Sequence, residues 1–245
     1  MFDRRRFMSG LAVLAGGSLA GCRQETYLPP SYGSLFGVSD MLSMSAQRLI
    51  LRNQPLAREF DAGLISKGFP AIGTTMPEDE TYLRHLADGF ARWRLPIDGL
   101  VQRPLHLSLA ELRSLPARTQ VTGHSCERGW TAIGQWTGVP LVNVLRLAGM
   151  RPEARYVVFY AVDGWYESLD LFDALHPQTL LAYGMNGADL PVQHGAPVRV
   201  RVERQLGYKS IKFLNRISVV DSLAGIKTGK GSLAAQFGYS WYAGI

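Results

Sequence analysis

Residues 123–130 read GHSCERGW and set one thiol, Cys126, between His124 on one side and Glu127 and Arg128 on the other. Three chemistries use a cysteine in such company. A nucleophilic thiol needs a general base, and His124, His176 or His194 could serve. A metal-bound thiolate needs further ligands, and the pair His124/Cys126 is too short a signal to define a zinc or copper site. A buried inert cysteine wants apolar neighbours, which these charged flanks do not offer.

A second chemistry-bearing stretch is 193–216, QHGAPVRVRVERQLGYKSIKFLNR. It carries Arg199, Arg201, Arg204, Lys209, Lys212 and Arg216 against one acid, Glu203. In a strand, alternate residues share a face, so Arg199 and Arg201 point the same way. Gly207 lets a backbone approach a ligand closely, and the N–H groups beside it, with Lys209, could cradle a phosphate. The competing reading is a solvated basic edge strand that guards against aggregation. The thiol loop and the His194-Gly-Ala-Pro turn favour a ligand. Other cofactor signals are missing. There is no C-x-x-C-H for covalent haem, and two cysteines cannot hold a four-cysteine iron–sulfur cluster. Gly229–Ala234 fits G-x-G-x-x-A, but Ile245 follows too soon for a dinucleotide-binding unit.

The other cysteine, Cys22, closes the sequence Leu19-Ala20-Gly21-Cys22, which resembles a bacterial lipobox. It follows Arg4-Arg5-Arg6-Phe7 and an apolar run too short to span a bilayer, a pattern similar to a twin-arginine export signal. The expected organisation is a lipoprotein-type signal peptide at 1–21, a tether or wrapping segment at 22–50, and one catalytic domain at 51–245. The chain would then be periplasmic and held to a membrane by one lipid at Cys22. That lipid would leave Cys126 as an odd cysteine, to be read as a reactive thiol or a ligand. Removing 1–21 takes away three arginines and one aspartate, so the net charge falls from +6 to +4. This mild basicity suits an anionic cofactor or a membrane-side position, and export argues against a nucleic-acid partner.

The elements that must position these residues are mostly strands. Residues 90–107 alternate about Asp98-Gly99, a hairpin signal. Ser108-x-x-Glu111 is a capping box that opens a helix running to about Leu115. TQVTGHSC reads as a strand that breaks at Gly123 and leaves Cys126 on the following loop. Residues 140–150 carry helical spacing from Pro140 to Gly149. Strands flank Asp163-Gly164, a short helix ends before Pro177, Asn186-Gly187 marks a turn, and PVRVRVE and IKFLNRISVVD are β. The tail after Ser222 is Gly-rich and aromatic. The fold class is α+β, with mixed, curved sheets and short inserted helices.

The segments RNQPL, CERGW…GQWTGVPL, YESLDLFDALHPQTLLAYGMNGADLPVQHGAPVRV and GYKSIKFL together resemble the molybdopterin-binding domain of the sulfite oxidase family. The likeness is to the bacterial periplasmic branch that includes methionine-sulfoxide reductase catalytic subunits, and it runs from about Arg52 to Asp221. The resemblance implies a molybdenum–molybdopterin cofactor with Cys126 as thiolate ligand to the metal, deprotonated outright. It implies that His194 and Arg199, then Gly207, Tyr208 and Lys209, bind the pterin and its phosphate. Asn53, Arg58 and Glu59 would also face the cofactor. Tyr166 would stand beside the metal as hydrogen-bond donor or proton carrier, and Arg128 is the candidate anion clamp. It further implies oxygen-atom transfer on an S-oxide, N-oxide or sulfite-like substrate. Electrons would be exchanged with a separate haem protein, a membrane cytochrome b or a cytochrome c. The alternative is a non-catalytic lipoprotein that uses the same fold as a binding scaffold. The family's additional C-terminal β-sandwich finds no counterpart in the 24 residues after Asp221.

Overall fold

The computed structural model describes residues 35–51 and 56–245. The export signal, Cys22 and Asn53 lie outside the described residues. Two sheets share one core. The first has strand order β2-β1-β10-β5-β6, built from β1 (Arg94–Gly99), β2 (Leu105–Ser108), β5 (Tyr156–Ala161), β6 (Tyr166–Asp170) and β10 (Leu214–Val220). Only its β1–β10 pair is parallel. The second sheet is antiparallel: β3 (Arg118–Ser125), β4 (Thr131–Pro140), β7 (Leu180–Met185) and β8 (Ala188–Asp189), with β9 (Arg199–Arg201) also paired to β7. The α+β class therefore holds, although just one of the two sheets is mixed.

Among the described residues five α-helices punctuate the strands: α1 (Leu35–Ile50), α2 (Glu80–Ala87), α3 (Leu109–Ser114), α4 (Leu141–Ala148) and α5 (Leu171–Ala174). The predicted capping box is present, with Ser108 and Glu111 bonding each other's backbone N–H at the start of α3. Helix α4 ends on Gly149 in the left-handed conformation, as its Pro-to-Gly frame predicts. Its apolar stripe, Leu141, Val144, Leu145 and Ala148, is fully buried. It packs with Ile97, Phe159 and Ile217 of the first sheet and Val139, Leu181 and Val200 of the second.

Three sequence expectations change. Asp98-Gly99 is not the turn of the β1–β2 hairpin, whose strands pair only from Ile97 and Leu105 outward. Gly99 instead pairs with Val219 at φ +84°, where an added Cβ would lie 2.1 Å from the Val219 carbonyl. Strand β3 does not break at Gly123 but runs on to Ser125, because Gly123 stays in register with Ile133. Part of the expected wrapping segment is the sixteen-residue helix α1. Asp40 accepts from Ser240 and from the Trp241 N–H, and Met44 is buried beside Trp241 and Tyr242.

Candidate active site

Strand β3 buries every second residue, so Gln120, Thr122 and His124 face inward in a row. One residue past its end, Cys126 opens a turn closed by two backbone bonds: Cys126 N–H to Trp130 O at 2.9 Å and Gly129 N–H to Cys126 O at 3.0 Å. The turn fixes the thiol at the wall of a cleft of about 240 Å³, with Glu127, Arg128 and Trp130 beside it. Cys126 is free and buried. Burial pushes its pKa up and the Glu127 carboxylate adds to this, against the pull of the Arg128 backbone N–H. Its hydrogen-bond partner is Glu127 Oε2, 3.5 Å from Sγ, not an imidazole. A thiol held protonated beside a carboxylate is a poor nucleophile at rest, whereas a metal bond would deprotonate it.

The facing wall is built from β9 and the segment after it. Arg199 and Arg201 do share a face, and both are buried against the Trp136 ring, at 5.2 and 4.3 Å from its centroid. This excludes the solvated-edge reading of the basic strand. Arg201 is neutralised by Glu203, with Nη2 2.6 Å from Oε2, and its Nη1 lies 2.6 Å from His124 Nδ1. A guanidinium only donates, so Nδ1 accepts and the His124 proton sits on Nε2. Burial, reinforced by Arg201 and Arg199, pushes the His124 pKa down to about 2, so the ring is neutral. Nε2 faces Gly207, where an added Cβ would stand 2.6 Å away.

Arg199 has no such neutraliser. Its Nη atoms donate to the carbonyls of His194 and Ser210, at 3.0 and 2.6 Å, and its buried Nε has no partner. Burial and the Arg201 charge pull its pKa down to about 9. Lys212 is similar: Nζ donates to the carbonyls of Thr74 and Gln193, and burial with the Arg199 charge lowers its pKa to about 8. Both line the cleft, as do His194, Gly207 and Tyr208. Burial, Arg199 and Lys212 bring His194 down to about 4.

Cys126, Arg128, His194, Arg199, Gly207 and Tyr208 thus meet at one cleft, as expected. Four expected residues do not join them. Tyr166, the first residue of β6, contacts Gln236 of the C-terminal tail, and Trp165, just before the strand, lines the cleft instead, since successive residues of extended chain face opposite ways. Lys209 is buried with Nζ 2.8 Å from Glu167 Oε2 and 2.9 Å from Trp241 O, so its ammonium is already spent. Glu59 pairs with Arg118 at the far end of β3, and Arg58 is exposed and stacks on Phe60. Sequence reasoning counted Lys212 among the basic residues of this stretch but gave the phosphate role to Lys209, three residues earlier within the quoted GYKSIKFL. It missed Phe69, whose ring meets His124, Trp130, Trp136 and His194 at 5.4 to 5.9 Å. Nothing in the Phe69 loop signals this, because its contacts are all distant in sequence.

These features define a cofactor-dependent redox centre more readily than a hydrolase. Among the described residues no group of three or more His, Cys, Asp or Glu is placed to hold a metal ion, so a metal at Cys126 must bring most of its ligands with it. A sulfur-rich organic chelate with a phosphate would do so. The free thiol, the unpartnered Arg199 Nε and the cations Arg199 and Lys212 fit that group.

Comparison with known proteins agrees. The family described as "Oxidoreductase molybdopterin binding domain" matches residues 84–225, and the chain belongs to this family. It is 42% identical to the putative protein-methionine-sulfoxide reductase subunit YedZ1 of Azospira oryzae, over 98% of this chain and 87% of that one. It is 29% identical to the protein-methionine-sulfoxide reductase catalytic subunit MsrP of Xanthomonas campestris pv. campestris, over 90% of this chain and 71% of that one. Among solved structures it is similar to the sulfane dehydrogenase SoxCD of Paracoccus pantotrophus, with TM-score 0.52 and 25% identity, over 54% of this chain and 39% of that one. The protein is a molybdopterin-dependent oxidoreductase of the sulfite oxidase fold.

Proposed function

We propose that this oxidoreductase is an exported enzyme that reduces methionine sulfoxide in proteins, and that Cys126 is the bond between polypeptide and molybdenum. The observation that carries the reading is a free, buried thiol on one wall of a cleft whose other wall holds two cations, buried Arg199 and half-buried Lys212, that donate to backbone carbonyls and to no carboxylate. The names of the two relatives support the choice of substrate.

The bound cofactor supplies a two-electron centre for oxygen-atom transfer. The reaction takes up two electrons and two protons per sulfoxide and releases a thioether and water. Arg199 and Lys212 anchor the anionic end of the cofactor by charge-assisted hydrogen bonds. Neutral His124, held between Arg201 and Gly207, keeps that wall rigid without adding charge. Phe69, Trp130 and Trp165 give the mouth an aromatic lining suited to a thioether sulfur. Glu127, the acid nearest Sγ, hands on protons. Electrons come singly from a separate haem protein, a membrane cytochrome b or a cytochrome c, a reading in keeping with a sequence that carries no covalent haem-attachment motif. The leader and Cys22 support a lipid-tethered periplasmic location.

The test pairs metal analysis with X-ray absorption and a substrate panel. Wild-type protein from its native host should carry stoichiometric molybdenum with one more Mo–S contact than Cys126→Ser. It should reduce peptide methionine sulfoxide with a reduced dye, and the variant should not. Full turnover by Cys126→Ser overturns the ligand assignment. Oxidation of sulfite without reduction of any sulfoxide overturns the substrate.

A further inference from the structure

Helix α1 is built inside out. A surface helix ordinarily turns its apolar stripe to the core and its charges to water. Here the two charged residues, Asp40 and Arg48, both point inward. Asp40 accepts from Ser240 and from the Trp241 N–H, and Arg48 pairs with buried Asp170 while stacking on Phe172. The outward stripe is Val38, Leu42, Ala46 and Leu49, at spacings of four, four and three that place them on one face. Val38 is 50% exposed, Leu42 61%, Leu49 69% and Ile50, at the helix end, 75%.

The surface continues past the helix. Phe172 lies against Arg48, and Ile245 follows Gly244, whose carbonyl accepts from Gln47. Both are exposed, as is Tyr239, next to the Ser240 that Asp40 holds. A contiguous apolar area of this kind marks an interaction site.

We infer that this face lies on the lipid bilayer, with α1 as an interfacial helix seated in the headgroup region. The argument for lipid comes from where the chain leads. Only residues 23–34 separate Leu35 from Cys22, so a lipid there would hold the start of α1 within at most about 45 Å of the membrane. A lipid on Cys22 would keep the chain near the bilayer without fixing how the folded domain faces it, and an apolar helix face supplies the second contact that does. Among the described residues no helix is long and apolar enough to cross a membrane, so α1 lies along the surface. The seat also orients the enzyme. Tyr208, on the cleft wall, packs its ring against Tyr239 at 5.2 Å and donates to Ser240 O, so the cleft lies close to this edge, where membrane-bound electron carriers run. The inference borrows the export reading but not the substrate assignment.

The experiment uses mature holoenzyme that starts at residue 22, without the apolar leader and carrying Cys22→Ser, which removes the lipid, in flotation with phosphatidylcholine vesicles at low and high salt. The protein should float with the vesicles at both, because apolar seating is not screened as ionic adsorption is. Adding Leu42→Glu and Leu49→Glu should weaken partition at least tenfold while leaving dye-linked turnover unchanged, since both positions are exposed and far in the chain from the cleft residues. No flotation of the Cys22→Ser protein overturns the inference, and so does equal flotation of the glutamate variants. A protein that ignores vesicles but forms a stoichiometric complex with a membrane cytochrome through α1 would likewise refute the lipid seat. Loss of turnover in the Cys22→Ser parent would instead point to the catalytic reading.

Discussion

Replacing Lys209 by alanine should damage the fold before it damages the chemistry. Its ammonium is 2.8 Å from Glu167 Oε2 and 2.9 Å from the Trp241 carbonyl, with both side chains of the ion pair essentially inaccessible. Glu167 Oε1 is held in turn by the Ser232 hydroxyl at 2.8 Å and the Ala234 N–H at 3.3 Å. Truncating the lysine leaves a buried carboxylate without its counter-charge, which costs about 3–5 kcal/mol. For a chain of this size each kcal/mol moves Tm by roughly 2–4 °C, so the expected drop is on the order of 10 °C. The assay is thermal unfolding of cofactor-free and cofactor-loaded protein. Both forms should fall by the same amount, and Lys209→Met combined with Glu167→Gln should recover part of the loss. If Lys209 instead gripped the cofactor's phosphate, the cofactor-free protein would be unaffected and the loaded form alone would suffer. A cofactor-free Tm within about 2 °C of wild type would refute the buried-pair argument.

Two further outcomes follow from the same wall. Gly207→Ala should cost about 1–3 kcal/mol and lower turnover, because the new methyl meets a His124 ring that Arg201 holds in place. Gly225→Ala, with nothing within 4 Å of its added Cβ, is the control and should be neutral in urea unfolding. The cofactor-free protein should lose stability as pH falls from 6.5 toward 4. In that window the unfolded chain takes up protons that buried His194, depressed to about 4, declines, so the unfolded state gains. Asp173, raised to about 6 by burial and the Asp170 charge, works the opposite way. The readout is therefore the difference from His194→Gln, whose stability should vary less steeply with pH over that range.

What could be read in the sequence was what local rules govern. The capping box at Ser108, the Pro140-to-Gly149 frame of α4 and the Asn186-Gly187 turn depend on residues within a few positions of each other, and all three appear in place. Cys126 stood out through its flanks, and the meeting of Arg199 with Arg201 followed from strand period alone. What failed depended on register or on distant partners. One step of alternation at the start of β6 sends Trp165, not Tyr166, to the cleft. No spacing rule could say that Lys209 has Glu167 for a partner while Lys212, three residues on, has only carbonyls. Helix α1 escaped notice because most of its apolar residues face away from the protein, with Met44 the buried exception, so the usual pattern is largely reversed.

The electrostatics of the cleft explain why the basic strand is buried at all. Arg201 and Lys209 are each matched by a carboxylate, Glu203 and Glu167, and so are Arg48 and Arg204, by Asp170 and Asp173. The two that line the cleft, Arg199 and Lys212, have no carboxylate at ion-pair distance among the described residues, and in both burial lowers the pKa. A folded chain that pairs its buried cations elsewhere but leaves buried Arg199 and half-buried Lys212 to carbonyls holds positive charge at a cost, since carbonyl dipoles replace only part of the lost hydration. An anion entering the cleft offsets that cost, and its binding free energy then adds directly to the stability of the fold. The same two residues therefore make the cofactor-free protein the weaker form and tie its stability to cofactor loading.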